Sequence, residues 1–143
     1  MHTRTNQRKD SPMGRDDNVA IMQRAYDAFN EADLDTLVEI FDDSIVWHLP
    51  GKSKYADDYQ GRDATLAYFG QLGQETNGTF RAELQYFAAD DDGRVVGYQR
   101  STGERNGKHL DVGNCIVFTL QDGRVVDGCE HFNDLYAWDE FWS

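Results

Sequence analysis

Phe118-Thr-Leu-Gln-Asp-Gly-Arg-Val-Val126, followed by Asp127-Gly-Cys-Glu130-His131, decides how this chain folds. Apolar residues flank an Asp-Gly pair, and Asp-Gly supplies the positive φ values that a two-residue hairpin turn requires. With Asp122-Gly123 as the turn, Gln121 faces Arg124, and the register predicts three further pairs. Asn114 lies opposite His131, Ile116 opposite Cys129, and Phe118 opposite Asp127. The same logic at Asn106-Gly107 sets Gln99 beside Asn114. One sheet face then carries Val112, Asn114, Ile116, Phe118, Leu120, Val125, Cys129 and His131. It is apolar apart from a cluster of Gln99, Asn114 and His131, the usual composition of a small-molecule pocket. The other face carries Val96, Tyr98, Cys115, Val117, Glu130 and Phe132, apolar enough to predict cover by a second subunit. This register sends Cys115 and Cys129 to opposite faces, so both are expected as free thiols, which suits a reducing compartment.

Outward from the hairpin, strands are expected over about 79–89, 94–105, 108–120 and 124–133. The first half reads as helical. Val19, Met22, Ala25, Tyr26 and Phe29 recur at spacings of three and four after a cap at Asp16, Asp17 or Asn18. A short helix follows, capped by Asp33, with Leu34, Leu37, Val38 and Phe41 on its apolar stripe. Ser44 to Pro50 is β-rich, and Arg62 to about Gln74 is a third helix. Helices followed by an antiparallel meander make an α+β protein in which the helices cover one face of a curved sheet.

Composition narrows the function. The 143 residues include 26 acidic and 14 basic side chains, a net charge of −12. Phosphate backbones and anionic membrane surfaces repel such a chain. No apolar run approaches the ~20 residues of a membrane helix, and Met1-His-Thr-Arg-Thr-Asn lacks the apolar stretch of a secretory signal. A cytoplasmic protein is expected, with no nucleic-acid or membrane partner. Residues 1–15 hold Arg4, Arg8, Lys9 and Arg15 against Asp10 and are expected as a flexible tail; residues 16–143 form a single domain. Metal binding is not expected: His-x-x-x-His and Cys-x-x-Cys spacings are absent. No glycine-rich nucleotide loop or Gly-x-Ser-x-Gly elbow occurs, so the reading is cofactor-free.

Several motifs, in order, resemble NTF2-like proteins of the SnoaL-like or ketosteroid-isomerase-like branch. They are Tyr26-Asp-Ala-Phe-Asn-Glu-Ala-Asp-Leu-Asp-Thr-Leu37, Ile45-Val-Trp-His-Leu-Pro-Gly51, Tyr59-Gln-Gly-Arg-Asp-Ala64, and the hairpin from Phe118 to Val126 with Glu130-His131. The resemblance spans about residues 18–142. It implies a cone-shaped, cystatin-like α+β fold with about three N-terminal helices, a pocket at the open end, and homodimers through the outer sheet face. Its members include steroid isomerases, polyketide cyclases, dehydratases and epoxide hydrolases, alongside proteins that only bind.

Aligned on the isomerase pattern, His48 falls where the proton-shuttling aspartate sits, and histidine can move protons near neutral pH. The oxyanion tyrosine falls at Ala25 or Tyr26. The isomerase's second acid maps to Ile116 and the cyclase-type aspartate to Asn114, neither of which ionises. The expected catalytic residues are therefore His48, His131 and Asn114. Tyr26, Trp47, Gln99, Ile116, Phe118 and Cys129 are expected around the substrate. Proton transfer on a small hydrophobic polyketide-, terpenoid- or steroid-like molecule is the activity implied; a non-catalytic binding protein and an epoxide hydrolase are the alternatives. The aromatic end, with Tyr136, Trp138, Phe141 and Trp142, is expected to pack on the helices or cap the pocket mouth.

Overall fold

A computed structural model describes residues 14–143. The basic segment lies outside the described residues as far as residue 13, and its last member, Arg15, begins a helix. Helix α1 (Arg15–Asn30) buries Met22, Ala25 and Tyr26, as its apolar stripe predicts. Its N-cap is Gly14 instead of an Asp or Asn side chain. Asp16 and Asp17 occupy the first turn, where they meet the positive end of the helix dipole. Helix α2 (Leu34–Ile40) starts at the expected cap, Asp33, which accepts hydrogen bonds from the Thr36 amide (3.2 Å) and hydroxyl (2.6 Å). Phe41 opens strand β1 (Phe41–Leu49) instead of ending the helix.

A short edge strand that the sequence reading did not anticipate, β2 (Asp57–Gln60), precedes helix α3 (Arg62–Glu75). The meander follows as β3 (Arg81–Ala89), β4 (Arg94–Arg105), β5 (Lys108–Gln121) and β6 (Arg124–Phe132), and helix α4 (Leu135–Phe141) closes the chain. The six strands are ordered β2-β1-β6-β5-β4-β3. All pairs are antiparallel except β1 with β6, which brings the first strand beside the last. The helices lie on one face of this curved sheet, and the core fills the space between.

The β4–β5 hairpin keeps one register throughout and pairs Gln99 with Asn114 as expected. The β5–β6 hairpin does not. It begins as predicted, with Gln121 opposite Arg124 and Leu120 opposite Val125, and then Thr119 faces Asp127. Val126 is therefore an extra residue on β6, a β-bulge. Beyond it Asn114 faces Phe132, Ile116 faces Glu130, and Val117 faces Cys129. Because side chains alternate between faces, a slip of one residue exchanges the two sets. Cys129 and His131 leave the helix-covered face, and Glu130 and Phe132 join it. The two cysteines share the outer face instead of projecting oppositely, and both are free thiols.

Two strand glycines mark places where an aromatic side chain lies against the backbone. A Cβ on Gly128 would overlap the Trp47 indole, and one on Gly97 would sit 2.6 Å from the Tyr26 hydroxyl. Both aromatic groups are thereby seated on the inner sheet face, where the candidate site lies.

Candidate active site

Between the helices and the inner sheet face is a cavity of about 50 Å³. Its wall is mostly hydrocarbon: Met22 and Phe29 from α1, Phe69 from α3, Trp47 from β1, and Ile116 and Phe118 from β5. Helix α4 supplies one side through Trp138; its aromatic groups Trp138, Phe141 and Trp142 are all buried, whereas Tyr136 is exposed. The helix is tied down by Asp139, which accepts from the backbone amides of Lys52 (2.9 Å) and Ser53 (3.1 Å). From β4, Arg105 donates to the Phe141 and Ser143 carbonyls. Trp138, Phe141 and Trp142 thus pack into the core mainly against β5 and β6, where packing on the helices was expected, and Trp138 also forms part of the pocket.

One acid lines this cavity. Glu130, 5% exposed, accepts a hydrogen bond from the Trp47 indole N–H at 2.7 Å and from the Tyr68 hydroxyl at 3.4 Å on one carboxyl oxygen. Its other oxygen accepts from the Asn114 amide at 2.9 Å. All three partners are neutral. Burial pushes the Glu130 carboxyl above the usual glutamate range, while the Trp47, Asn114 and Tyr68 hydrogen bonds pull the other way and leave a net rise. Burial first, and the Glu130 charge second, hold the Tyr26 and Tyr68 phenols protonated well above their ordinary range. The Tyr26 hydroxyl donates to Gln99 Oε1 at 2.6 Å, and Gln99 Nε2 donates to Ser101 Oγ at 3.0 Å. Among the described residues, Asn114 Oδ1, Trp138 Nε1 and Trp142 Nε1 are buried without a hydrogen-bond partner. Of these residues, Trp138 lines the cavity.

The outer face has a different chemistry. Alternation along β1 turns Trp47 inward and His48 outward. His48 lies between two carboxylates, with Nδ1 2.9 Å from Asp58 and Nε2 2.9 Å from Asp127. The hydrogen bonds to Asp58 and then Asp127 raise its pKa, because they are strongest when both ring nitrogens carry protons. Both ring nitrogens of His48 are engaged by these carboxylates on the outer face, away from the cavity. His131 is exposed on the same face.

The structure therefore gathers Tyr26, Trp47, Gln99, Ile116 and Phe118 around the cavity, and Asn114 beside it through Glu130. His48, His131 and Cys129 lie outside, on the far side of the sheet; the bulge at Val126 moves the latter two, and β1 alternation turns the first away. The residue that the sequence reading misplaced is Glu130, put on the outer face by the unbulged register. Two local cues point to the slip: the adjacent valines Val125-Val126, which break the alternation, and Gly128, a strand glycine of the kind that accompanies close packing. Among the described residues, no group of three or more His, Cys, Asp or Glu side chains is placed to hold a metal ion.

The SnoaL-like domain model matches residues 22–128 of this sequence. The chain belongs to the SnoaL-like domain family. An uncharacterized protein of Mycobacterium tuberculosis is 29% identical over 131 residues, covering 92% of this chain and all of that protein. Among solved structures, Bal32a, from a soil-derived mobile gene cassette, is 54% identical with a TM-score of 0.89, covering 90% of this chain and 98% of that one. A Jannaschia sp. CCS1 protein named as a SnoaL-like polyketide cyclase shares the fold at 17% identity, with a TM-score of 0.75 and coverage of 93% and 96%. This SnoaL-like chain has the NTF2-like, cystatin-like α+β fold that its motifs resemble. Its inner face differs from the expected site in carrying a glutamate on the last strand, where a histidine was predicted.

Proposed function

We propose that this SnoaL-like protein is a cofactor-free enzyme that moves a proton on a small, neutral, hydrophobic molecule of polyketide, terpenoid or steroid type. Isomerisation, cyclisation and dehydration all use such a step. The observation that carries the reading is Glu130, a carboxyl raised above its ordinary range inside an apolar cavity. General acid–base catalysis works best when the group titrates near the working pH, so that it can both take and return the proton.

In the step proposed, the Glu130 carboxylate removes a proton from the carbon next to a carbonyl. The C–H electron pair becomes the new C=C bond of an enolate, and the carbonyl oxygen gains the negative charge. The Trp138 indole N–H is the unengaged donor available to that oxygen. The Tyr26–Gln99–Ser101 chain supplies a second polar wall, and Trp47, Ile116 and Phe118 contact the substrate. Glu130 then returns its proton, at the same or another carbon. Hydrolysis of an epoxide would call for an acid–base pair around a water, and Glu130 is the one carboxylate lining the cavity among the described residues. The same reading pairs two copies through the outer face, where Val96, Tyr98, Cys115 and Val117 present apolar surface. A monomer by light scattering at micromolar concentration would count against that pairing.

The test is deuterium uptake from D2O into a panel of neutral enones and ketones, followed by NMR over a range of pH, with epoxides included for hydrolysis. Wild type should catalyse uptake, and Glu130→Gln should lower the rate about 10²–10⁴-fold. Equal rates in the two proteins, or saturable binding with no exchange across the panel, would reject the enzyme in favour of a binding protein.

A further inference from the structure

The cavity is small for the molecules proposed above. At about 50 Å³ it falls well below the roughly 300–1,000 Å³ of ordinary small-molecule sites. A second space lies on the other side of its wall. An open groove of about 460 Å³ runs between the α1–α2 turn and α3. Phe29, Leu37, Phe69 and Phe80 line both spaces, so one layer of side chains separates them. Phe29 stands edge-on to Phe69 at 5.3 Å and to Phe80 at 5.9 Å, a hydrocarbon layer held by ring contacts and by no hydrogen bond.

The composition of the groove is unusual for this chain. Charged residues make up 28% of the sequence, yet none lines the groove. Leu34, 56% exposed, forms part of its rim. On the α3 side, a Cβ added at Gly70 or Gly73 would meet no atom within 4 Å, so the groove is open there. A concave, open groove free of charged side chains has the form of a site for an apolar ligand. Its position against the cavity, across that one layer of side chains, points to the ligand it takes. The cavity holds the polar features, Glu130, Gln99 and the unpartnered Trp138 N–H; the groove holds none that ionise.

We infer that groove and cavity form one bipartite site for a neutral, elongated apolar ketone or enone. The carbonyl end enters the cavity past Phe29 and Phe69, and the apolar body stays in the groove along Gly70 and Gly73. The two volumes together fall within the ordinary range for a small-molecule site. This inference rests on the proposed role of Glu130 for the orientation of the ligand, and its binding test is independent of that role.

The probe is 6-propionyl-2-dimethylaminonaphthalene, a neutral aryl ketone whose emission shifts to the blue when it leaves water. Wild type should bind it saturably with a blue shift. Gly73→Leu, which fills the groove from a helix position with room for the side chain, should weaken binding at least tenfold. Its thermal midpoint should not fall, because leucine favours helix over glycine. Gln71→Leu, exposed on the same helix and turned away from Gly73, should bind like wild type. Glu130→Gln should lose deuterium exchange, a readout separate from the groove's effect on binding. Unaltered affinity in Gly73→Leu, or no saturable binding to wild type up to the probe's solubility, overturns the bipartite site. Weakened binding in Gly73→Leu, with no exchange by wild type on any ketone, leaves the groove standing and removes the catalytic reading instead.

Discussion

Strand β6 holds two chemistries on its two faces within three residues. Glu130 points into the core, bonded to neutral donors and lifted above the usual range by burial. Its neighbours Cys129 and His131 point outward, to the face where His48 is wedged between Asp58 and Asp127. Charge on the outer face is abundant and answered by charge: Arg100 pairs with Asp111 and Glu83, and Arg124 with Asp42. Among the described residues one acid, Glu130, lines the inner cavity, and none of its hydrogen-bond partners carries a countercharge. Paired charges at a surface are worth little individually and are pinned in one protonation state. A lone acid in hydrocarbon has its pKa raised by burial, and the proposed proton transfer draws on that shift.

Substitutions that treat the two faces separately sharpen or break this contrast. The largest expected effect is on turnover: Glu130→Gln should remove about 10²–10⁴ of any exchange rate, while His131→Ala should stay within about threefold. Comparable losses in both would erase the distinction. Next comes packing. Gly128→Ala drives a methyl group into the buried Trp47 indole and should cost about 1–3 kcal/mol in urea unfolding. Gly113→Ala meets the far end of the Tyr98 side chain on the outer face, which can move aside, and should cost less than about 1 kcal/mol.

The pH dependence of stability follows. A raised native pKa means that the folded protein holds the Glu130 proton more tightly than the unfolded chain does. Stability from this group is therefore full below the ordinary glutamate range and falls as pH rises to the raised native value, by at most about 1.4 kcal/mol per pH unit. Wild type should lose stability relative to Glu130→Gln over that window; parallel profiles would contradict the raised acid. The smallest effect belongs to His48. Its pKa is also raised, so its contribution is present below about pH 6.5 and is lost as pH rises through the native value. Since the side chain is 35% exposed, solvent screening limits this to about 0.2–1 kcal/mol, read as the acid-side stability difference between wild type and His48→Asn.

The architecture was legible because local signals agreed. Turn chemistry at Asn106-Gly107 set the β4–β5 register correctly over its whole length, and the spacing of Met22, Ala25 and Tyr26 identified the inward stripe of α1. The site was half legible. Tyr26, Trp47, Gln99, Ile116 and Phe118 depend on alternation that runs through β4, β5 and the Ile45–Leu49 part of β1, or on helical period. Glu130, Cys129 and His131 lie beyond the bulge at Val126, where one inserted residue inverts every assignment after it. His48 shows a second limit. Its resemblance to a family position fixed its place along β1, but Trp47 occupies the inward side and seats on Gly128. Edge strand β2 was missed because its four residues are mostly exposed and carry no apolar alternation.

The central claim is that Glu130 is an isolated acid whose pKa burial raises above the ordinary glutamate value. Its titration can be read directly from the carboxyl infrared band, as the difference between wild type and Glu130→Gln across pH. The account predicts a protonated C=O band that persists above the ordinary glutamate value of about 4.3 and disappears only at higher pH. A Glu130 band already lost at or below that value would mean that its three hydrogen bonds outweigh burial, and would contradict the account.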